Sequence, residues 1–401
     1  MKKILIISPV PVSFPPRDGY SMVVFYRSYF LKKFANIESD IIVPDCENNP
    51  AKNLIDSGVF NKVFSYPMSG KWISLAKSLF SFETNFMIKI SIKKDVLRII
   101  KNNIENTKYQ MVIFDHSKSY AIYKKLIKHI NIDKDKIIYW SHNIDYIDLK
   151  NITMETNNLL RKIFYYITYK KTHKIELEYI KEFTKIVSVS HHETKILKEI
   201  NPKANVYWIS PMLPEPNFID IDNKYFAEIE EKLMGYKYKI FFTGILEKSS
   251  NYISVIWFAN KIFPIIKNEL NVCFLIAGKN PPKELTDLAK FNNDIFIFLN
   301  PSSVAFFYKI SDLVIVPLFN PAGIKLKLIE ALKFKKKVVA RPEALLGARL
   351  EDIVVSANSP EEFAKKCIDV LEGKIDYMPI WQKFNQKYDN KKIINKLLDL
   401  I

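Results

Sequence analysis

Three groups of residues in this 401-residue chain have the types and spacing to do chemistry. The densest is Gly323, Lys325, Lys327 and Glu330, inside the stretch VPLFNPAGIKLKLIEALKFKKKVVA, residues 316–340. Lysines two apart beside a glycine offer ammonium groups and accessible backbone N–H groups to an anion. Cations at the start of a helix oppose its dipole and add nothing to its stability, so a bound diphosphate would explain Lys325 and Lys327. Glu330 follows Lys327 by three residues, on the same helical face, and can accept hydrogen bonds from sugar or ribose hydroxyls. The alternative for the same spacing is an amphipathic core helix with a solvated lysine face. The second and third groups are Asp115-His116 and Ser141-His142-Asn143-Ile144-Asp145, each following a short apolar run. Histidines placed there could position or deprotonate a hydroxyl, and purely structural use of each stays open.

Elements must hold these residues, and the patterning supplies them. Ser311 to Pro317 reads as a buried parallel strand, a short β-branched run closed by proline. Gly323 is then expected to open a helix, with Ile324, Leu328, Ala331 and Leu332 at helical spacing, before Val338 to Ala340 begins another strand. Strand, glycine, helix and strand make half of a nucleotide-binding α/β unit. Further strands are expected at Lys3–Ile7, Ser39–Pro44, Lys62–Tyr66, Tyr109–Phe114, Ile137–Trp140 and Lys185–Ser190, with helices near Ser21–Phe34 and Leu159–Phe183. Asp115-His116 would then stand at a strand's carboxyl end, where open α/β sheets place ligands. Four prolines between Pro202 and Pro216 mark a crossing between domains. The rhythm restarts with strands at Ile240–Thr243, Cys273–Ala277 and Ile295–Leu299, and Trp381 is expected to begin a terminal helix.

Composition narrows the classes. A hydrophobic fraction of 48%, with 5 Trp, 21 Tyr and 28 Phe, belongs to a globular chain and not a disordered one. The length suits two domains. Cys46, Cys273 and Cys367 are scattered and odd in number, which speaks for a reducing compartment and against structural zinc. The opening Met1-Lys2-Lys3 and the short run Ile4–Ile7 imitate a signal peptide, but prolines follow at once. A cytoplasmic protein is the expectation. Most of the net charge of +17 falls in residues 1–200, pointing to an anionic partner, a membrane surface or nucleic acid, unless it reflects compositional bias. No zinc-finger, RRM or basic-zipper pattern supports nucleic acid. Two stretches interleave aromatic and basic residues, Gly70–Lys94 and Leu159–Phe183. The first suits an interfacial segment on anionic lipid, the second a membrane-facing or acceptor-facing surface, and each is open to plain core packing.

At the lysine stretch the chain resembles retaining GT-B glycosyltransferases of the family 4 type, whose donor-site motif reads G-x-[RK]-x-K-x-x-E-A. Gly323, Lys325, Lys327, Glu330 and Ala331 match it, while Ala322 stands where the better-known form carries an acid eight residues before Glu330. Other elements are similar: Pro15, Pro16 and Gly19, with Tyr20 in place of a second glycine; His142, Asn143 and Asp145 for H-N-x-E; and Val189-Ser190 with Leu197. Phe242, Gly244, Asn251, Val255, Trp257 and Phe258 match a further segment at fixed spacing, and Ala344 with Gly347 resembles a later A-x-x-G.

The resemblance implies an α/β GT-B fold, two Rossmann-like domains facing each other across a cleft. Residues 1–212 would form the acceptor-side domain, 213–375 the nucleotide-sugar-binding domain, and 376–401 a helix crossing back to the first. It implies a glycosyltransferase, hexosyltransferase-like and independent of metal, moving a sugar from a nucleotide sugar to a glycan or lipid-linked acceptor in bacterial surface polysaccharide or glycoconjugate synthesis. Gly244, Lys248, Gly323, Lys325, Lys327 and Glu330 would bind the donor, His116 would be catalytic, and Gly19, His142 and Asp145 would line the acceptor side. No cofactor and no nucleic acid are expected. The pairs Asp133/Asp135 and Asp220/Asp222 do not follow strand ends, so neither implies a metal. Peripheral attachment at the inner face of the cell membrane is the expected localisation. A non-catalytic carbohydrate- or nucleotide-binding module of the same fold is the alternative.

Overall fold

Short runs of isoleucine, valine and phenylalanine, buried on both faces, form the centre of two parallel sheets in the computed structural model. The structure describes every residue except Met1, Arg17, 46–50, 68–93, Asn131, Asn157, 217–222 and Ser302. Almost all of the basic aromatic stretch Gly70–Lys94, together with Cys46 and the pair Asp220/Asp222, therefore lies outside the described residues.

Among the described residues the first sheet has seven strands: β1 (Lys2–Ile7), β2 (Ile37–Asp45), β3 (Phe60–Pro67), β4 (Met111–Asp115), β5 (Ile137–Ser141), β6 (Lys185–Ser188) and β7 (Asn205–Trp208). Their order is β3-β2-β1-β4-β5-β6-β7, every neighbour parallel. The register sets Ile7 beside Phe114, Asp115 beside Trp140 and Ser141 beside Ser188, so the chemically interesting residues fall together at the carboxyl ends. Beneath them lies an aromatic core of Phe114, Tyr123, Tyr139, Tyr179 and Phe183, packed edge-to-face and tilted at centroid distances of 4.6 to 6.3 Å. Each such side chain contributes roughly 1.5–3 kcal/mol by leaving water.

The second sheet comprises β8 (Tyr238–Ile245), β9 (Val272–Lys279), β10 (Ile295–Leu299), β11 (Leu313–Val316), β12 (Lys337–Ala340) and β13 (Val355–Ser356). The order is β10-β9-β8-β11-β12-β13, again parallel. In each sheet the order reverses once, between β1 and β4 and between β8 and β11. Loops leaving neighbouring strands diverge at such a reversal, and the gap outside the strand ends is where open α/β sheets hold ligands.

The chain forms two compact units: Met1–Leu213 with Ala322–Ile324 and Tyr388–Ile401, and Pro214–Pro321 with Lys325–Lys387. The expected single terminal helix is two. Trp381 lies inside the helix Met378–Lys387 of the second unit, its indole donating to Lys336 O at 3.2 Å. The break comes where the Asp389 carboxylate caps the next helix, Asn390–Leu398, by accepting from Lys392 N at 2.7 Å. That last helix packs on Gly19–Ala35 in the first unit. Among the described residues no helix is long and apolar enough to cross a membrane.

Candidate active site residues

In the first unit, Asp115 ends β4 and is fully buried. Arg27, from the helix Gly19–Ala35, pairs with one of its oxygens and His142 Nε2 with the other. Burial alone would raise this carboxyl, but Arg27 and His142 outweigh it and hold the pKa at about 2. The guanidinium also lies 4.1 Å above the Trp140 ring. A pair this deep resists loss of either partner, because the survivor becomes an uncompensated buried charge.

His116 follows at φ 68 and ψ 150, a region that side chains other than glycine occupy at a cost of roughly 1–3 kcal/mol. The surroundings impose it: His116 N donates to Trp140 O at 2.8 Å, and its carbonyl accepts from Ser119 N and Oγ at 3.1 and 2.7 Å. Burial, followed by Lys118 and His142, pushes the imidazole well below its ordinary range, so it is neutral at pH 7. Its Nδ1 accepts from Lys118 N at 3.3 Å and lies 3.0 Å from Ser117 Oγ, which donates to Asp145.

His142 stacks on His116 at 5.9 Å, and the Tyr20 ring sits 4.6 Å from His142. Asp145 opens the helix Asp145–Glu155 and receives Asn143 Nδ2 at 2.9 Å. Two buried carboxylates brace this corner. Glu176 accepts the Asp145 and Tyr146 amides at 3.1 and 2.9 Å, with its own pKa raised well above the usual carboxylate range by burial and by Asp145. Glu193 accepts the Ile144 amide at 3.2 Å and the Gly323 amide at 3.0 Å, Gly323 belonging to this unit. Gly19 is exposed as the first residue of its helix, which Asp18 caps through Ser21 N at 2.9 Å.

In the second unit the expected helix does not open at Gly323. That residue has φ 64, suited to glycine, and the helix spans Leu326–Lys333 with Lys325 before it in a non-helical conformation. Lys327 thus lies in the first turn and Glu330 in the second. The Lys327 side chain points to the end of β8: its Nζ donates to Asn251 Oδ1 at 2.9 Å and rests 4.0 Å over the Phe242 ring. Burial, with Lys325 adding and Lys248 too, drives this ammonium well below its ordinary pKa, against the pull of Glu330. Lys248 precedes the helix Ser249–Trp257, which starts beside the same strand end. Gly244 makes room for the group, since a Cβ there would stand 2.7 Å from Lys327 Nζ and 3.1 Å from Asn251 Nδ2.

Glu330 is half-buried, with Tyr308 Oη 3.5 Å from its carboxylate. Burial pushes its pKa up to about 7, Lys327 opposing. Lys248, Lys325, Lys327, Glu330 and Gly244 therefore gather at the β8/β11 reversal, while His116, His142 and Asp145 gather at the carboxyl ends of β4 and β5, next to the β1/β4 reversal. Among the described residues no three His, Cys, Asp or Glu side chains cluster as a metal site. Sequence reasoning missed Arg27, Glu176, Glu193 and Tyr308.

Residues 237–373 match the family model described as glycosyl transferases group 1. A 44.6 kDa protein of the cps region of Klebsiella pneumoniae is 22% identical, covering 99% of both chains. Among solved structures, a glycosyltransferase from Rickettsia africae superposes with a TM-score of 0.63 at 17% identity, covering 100% of this chain and 97% of its own. HepE of Anabaena, solved with UDP, gives 0.64 at 11% identity, covering 100% and 99%. The chain has the GT-B fold, with the match to glycosyl transferases group 1 confined to residues 237–373.

Proposed function

We propose that the chain moves a hexosyl group from a nucleotide-sugar donor to a glycan or lipid-linked acceptor in bacterial surface polysaccharide synthesis, working at the inner face of the cell membrane. The observation that carries this is Lys327, a half-buried ammonium crowded by two more cations at the β8/β11 reversal. Such a cluster is costly in the empty protein and becomes favourable around a diphosphate, whose leaving charge it would neutralise without a metal. Glu330 would accept the ribose or sugar hydroxyls. On the acceptor side the neutral His116, beside Ser117 and Asp145, would position or deprotonate the acceptor hydroxyl, with His142 and Gly19 lining the approach. The relative from a cps region supports surface polysaccharide as the product class, and HepE structures with UDP and UDP-glucose support a uridine nucleotide.

A panel of UDP-, GDP-, CMP- and dTDP-sugars tests it by release of free nucleotide. Slow hydrolysis of one donor class is the expected result, and no binding or turnover of any would overturn the proposal. Tight binding without turnover would instead favour a non-catalytic module, the reading suggested by Ala322 at the usual acidic position.

A further inference from the structure

The helix Leu159–Glu182 is apolar on the wrong side. Its buried face carries Thr168, Thr172, Ile175, Tyr179 and Ile180. Yet Leu159, Leu160, Ile163, Tyr166 and Ile167 are exposed by 70%, 79%, 49%, 50% and 50%. At about 100° per residue these five fall within an arc of about 120° opposite the core. A helix that only packs on its own domain keeps that arc polar. Six of the fourteen large exposed hydrophobics of the described chain lie here, counting Met154 at the end of the preceding helix. The arc then changes character, because Lys170 and Lys174 continue it a turn later, with Lys171 at one edge and Lys162 beyond the other. Lys170 Nζ lies 5.6 Å from the Tyr166 ring. From Leu159 to Lys174 there are five Lys or Arg and no Asp or Glu.

We infer that this arc is a seat for an anionic lipid bilayer. Leu160, Ile163 and Ile167 would enter the boundary between headgroups and acyl chains, Tyr166 would lie at headgroup level, and the cations would meet lipid phosphates. The charge argues against a second copy as the occupant, since two such arcs would set cations against cations. The inference deepens the proposed lipid-linked acceptor by naming the surface that brings the enzyme to it. Its test needs no donor, so it stands or falls apart from that chemistry.

The full chain is sedimented with phosphatidylcholine vesicles, with and without about a third of phosphatidylglycerol. Binding should require the anionic lipid and weaken with salt, because each cation near the surface contributes about fivefold in affinity. Lys170→Gln with Lys174→Gln should weaken binding about 25-fold. Leu160→Ser, Ile163→Ser and Ile167→Ser combined should weaken it at least tenfold while the melting temperature and nucleotide binding stay unchanged. No binding to anionic vesicles overturns the inference, and so does equal binding by the triple serine variant. A concentration-dependent dimer that the serines dissociate overturns it in favour of a second copy. Heparin binding as tight as vesicle binding, and indifferent to the serines, overturns it in favour of a general polyanion.

Discussion

Replacing Glu330 by glutamine keeps the side chain's shape and removes its ionisation. The wild-type carboxyl has a folded pKa of about 7 against an ordinary 4.5, raised by burial and opposed by Lys327. Between those values the folded state holds a proton that the unfolded state has released, so stability is greatest below pH 4.5 and falls as pH rises through 7. The full cost of ionising the buried group is up to about 3 kcal/mol, with solvent around the half-buried carboxylate reducing it. Glu330→Gln should therefore melt within about 3 °C of wild type at pH 5 and several degrees further above it at pH 8, at roughly 2–4 °C per kcal/mol. The same variant should bind nucleotide sugar more weakly, by roughly 1.5–3 kcal/mol or ten- to a hundredfold, through loss of a charged acceptor. Calorimetric melting at both pH values, with titration of UDP-sugar at pH 8, measures both effects. A stability difference that does not change between pH 5 and 8 refutes the burial argument. An unchanged affinity refutes the ligand role.

Gly244→Ala puts a Cβ 2.7 Å from the flexible Lys327 ammonium, so the lysine should swing away, costing about tenfold in UDP affinity but under ~1 kcal/mol in stability; Gly278→Ala, 2.1 Å from the Gly244 carbonyl, should fail to fold, as thermal melting and expression will show. Asp115→Asn leaves Arg27 charged and unpaired, a loss of about 3–5 kcal/mol in denaturant unfolding. Because the wild-type Asp115 pKa of about 2 lies below its ordinary 3.8, the stabilisation it brings is present above 3.8 and disappears as pH falls through 2, an acid limb the variant should lack. His116→Gln should leave donor binding intact and reduce sugar transfer to an acceptor by at least about a hundredfold, read as product formed under donor saturation.

The sheets were legible because buried parallel strands must be continuous apolar runs, as at Ile240–Phe242 and Leu313–Val316. Asp115-His116 was legible for the same reason, as polar residues that end such a run. Strands β7 and β13 were not, since four and two residues carry no period. Nor were Glu176 and Glu193: a carboxylate in an amphipathic helix reads as solvated, and only the folded chain brings them to the amides of Asp145, Tyr146 and Ile144. Arg27 is hidden likewise, 88 residues from its partner. The motif around Lys327 did not record that Gly323 falls in the first unit, apart from the lysines, nor that Lys327 rests on Phe242 and Asn251 from another strand and helix. The helix start was misplaced because periodicity from Ile324 onward does not record that Lys325 is non-helical.

The central claim is that the Lys327 cluster is built for a diphosphate, and isothermal titration of UDP into wild type and Lys327→Met tests it most directly. Methionine keeps the apolar stem over Phe242 and removes the buried cation, so the variant should be at least as stable as wild type. The variant should bind at least tenfold more weakly. Equal affinity in the two proteins, or a variant that unfolds, would contradict the account.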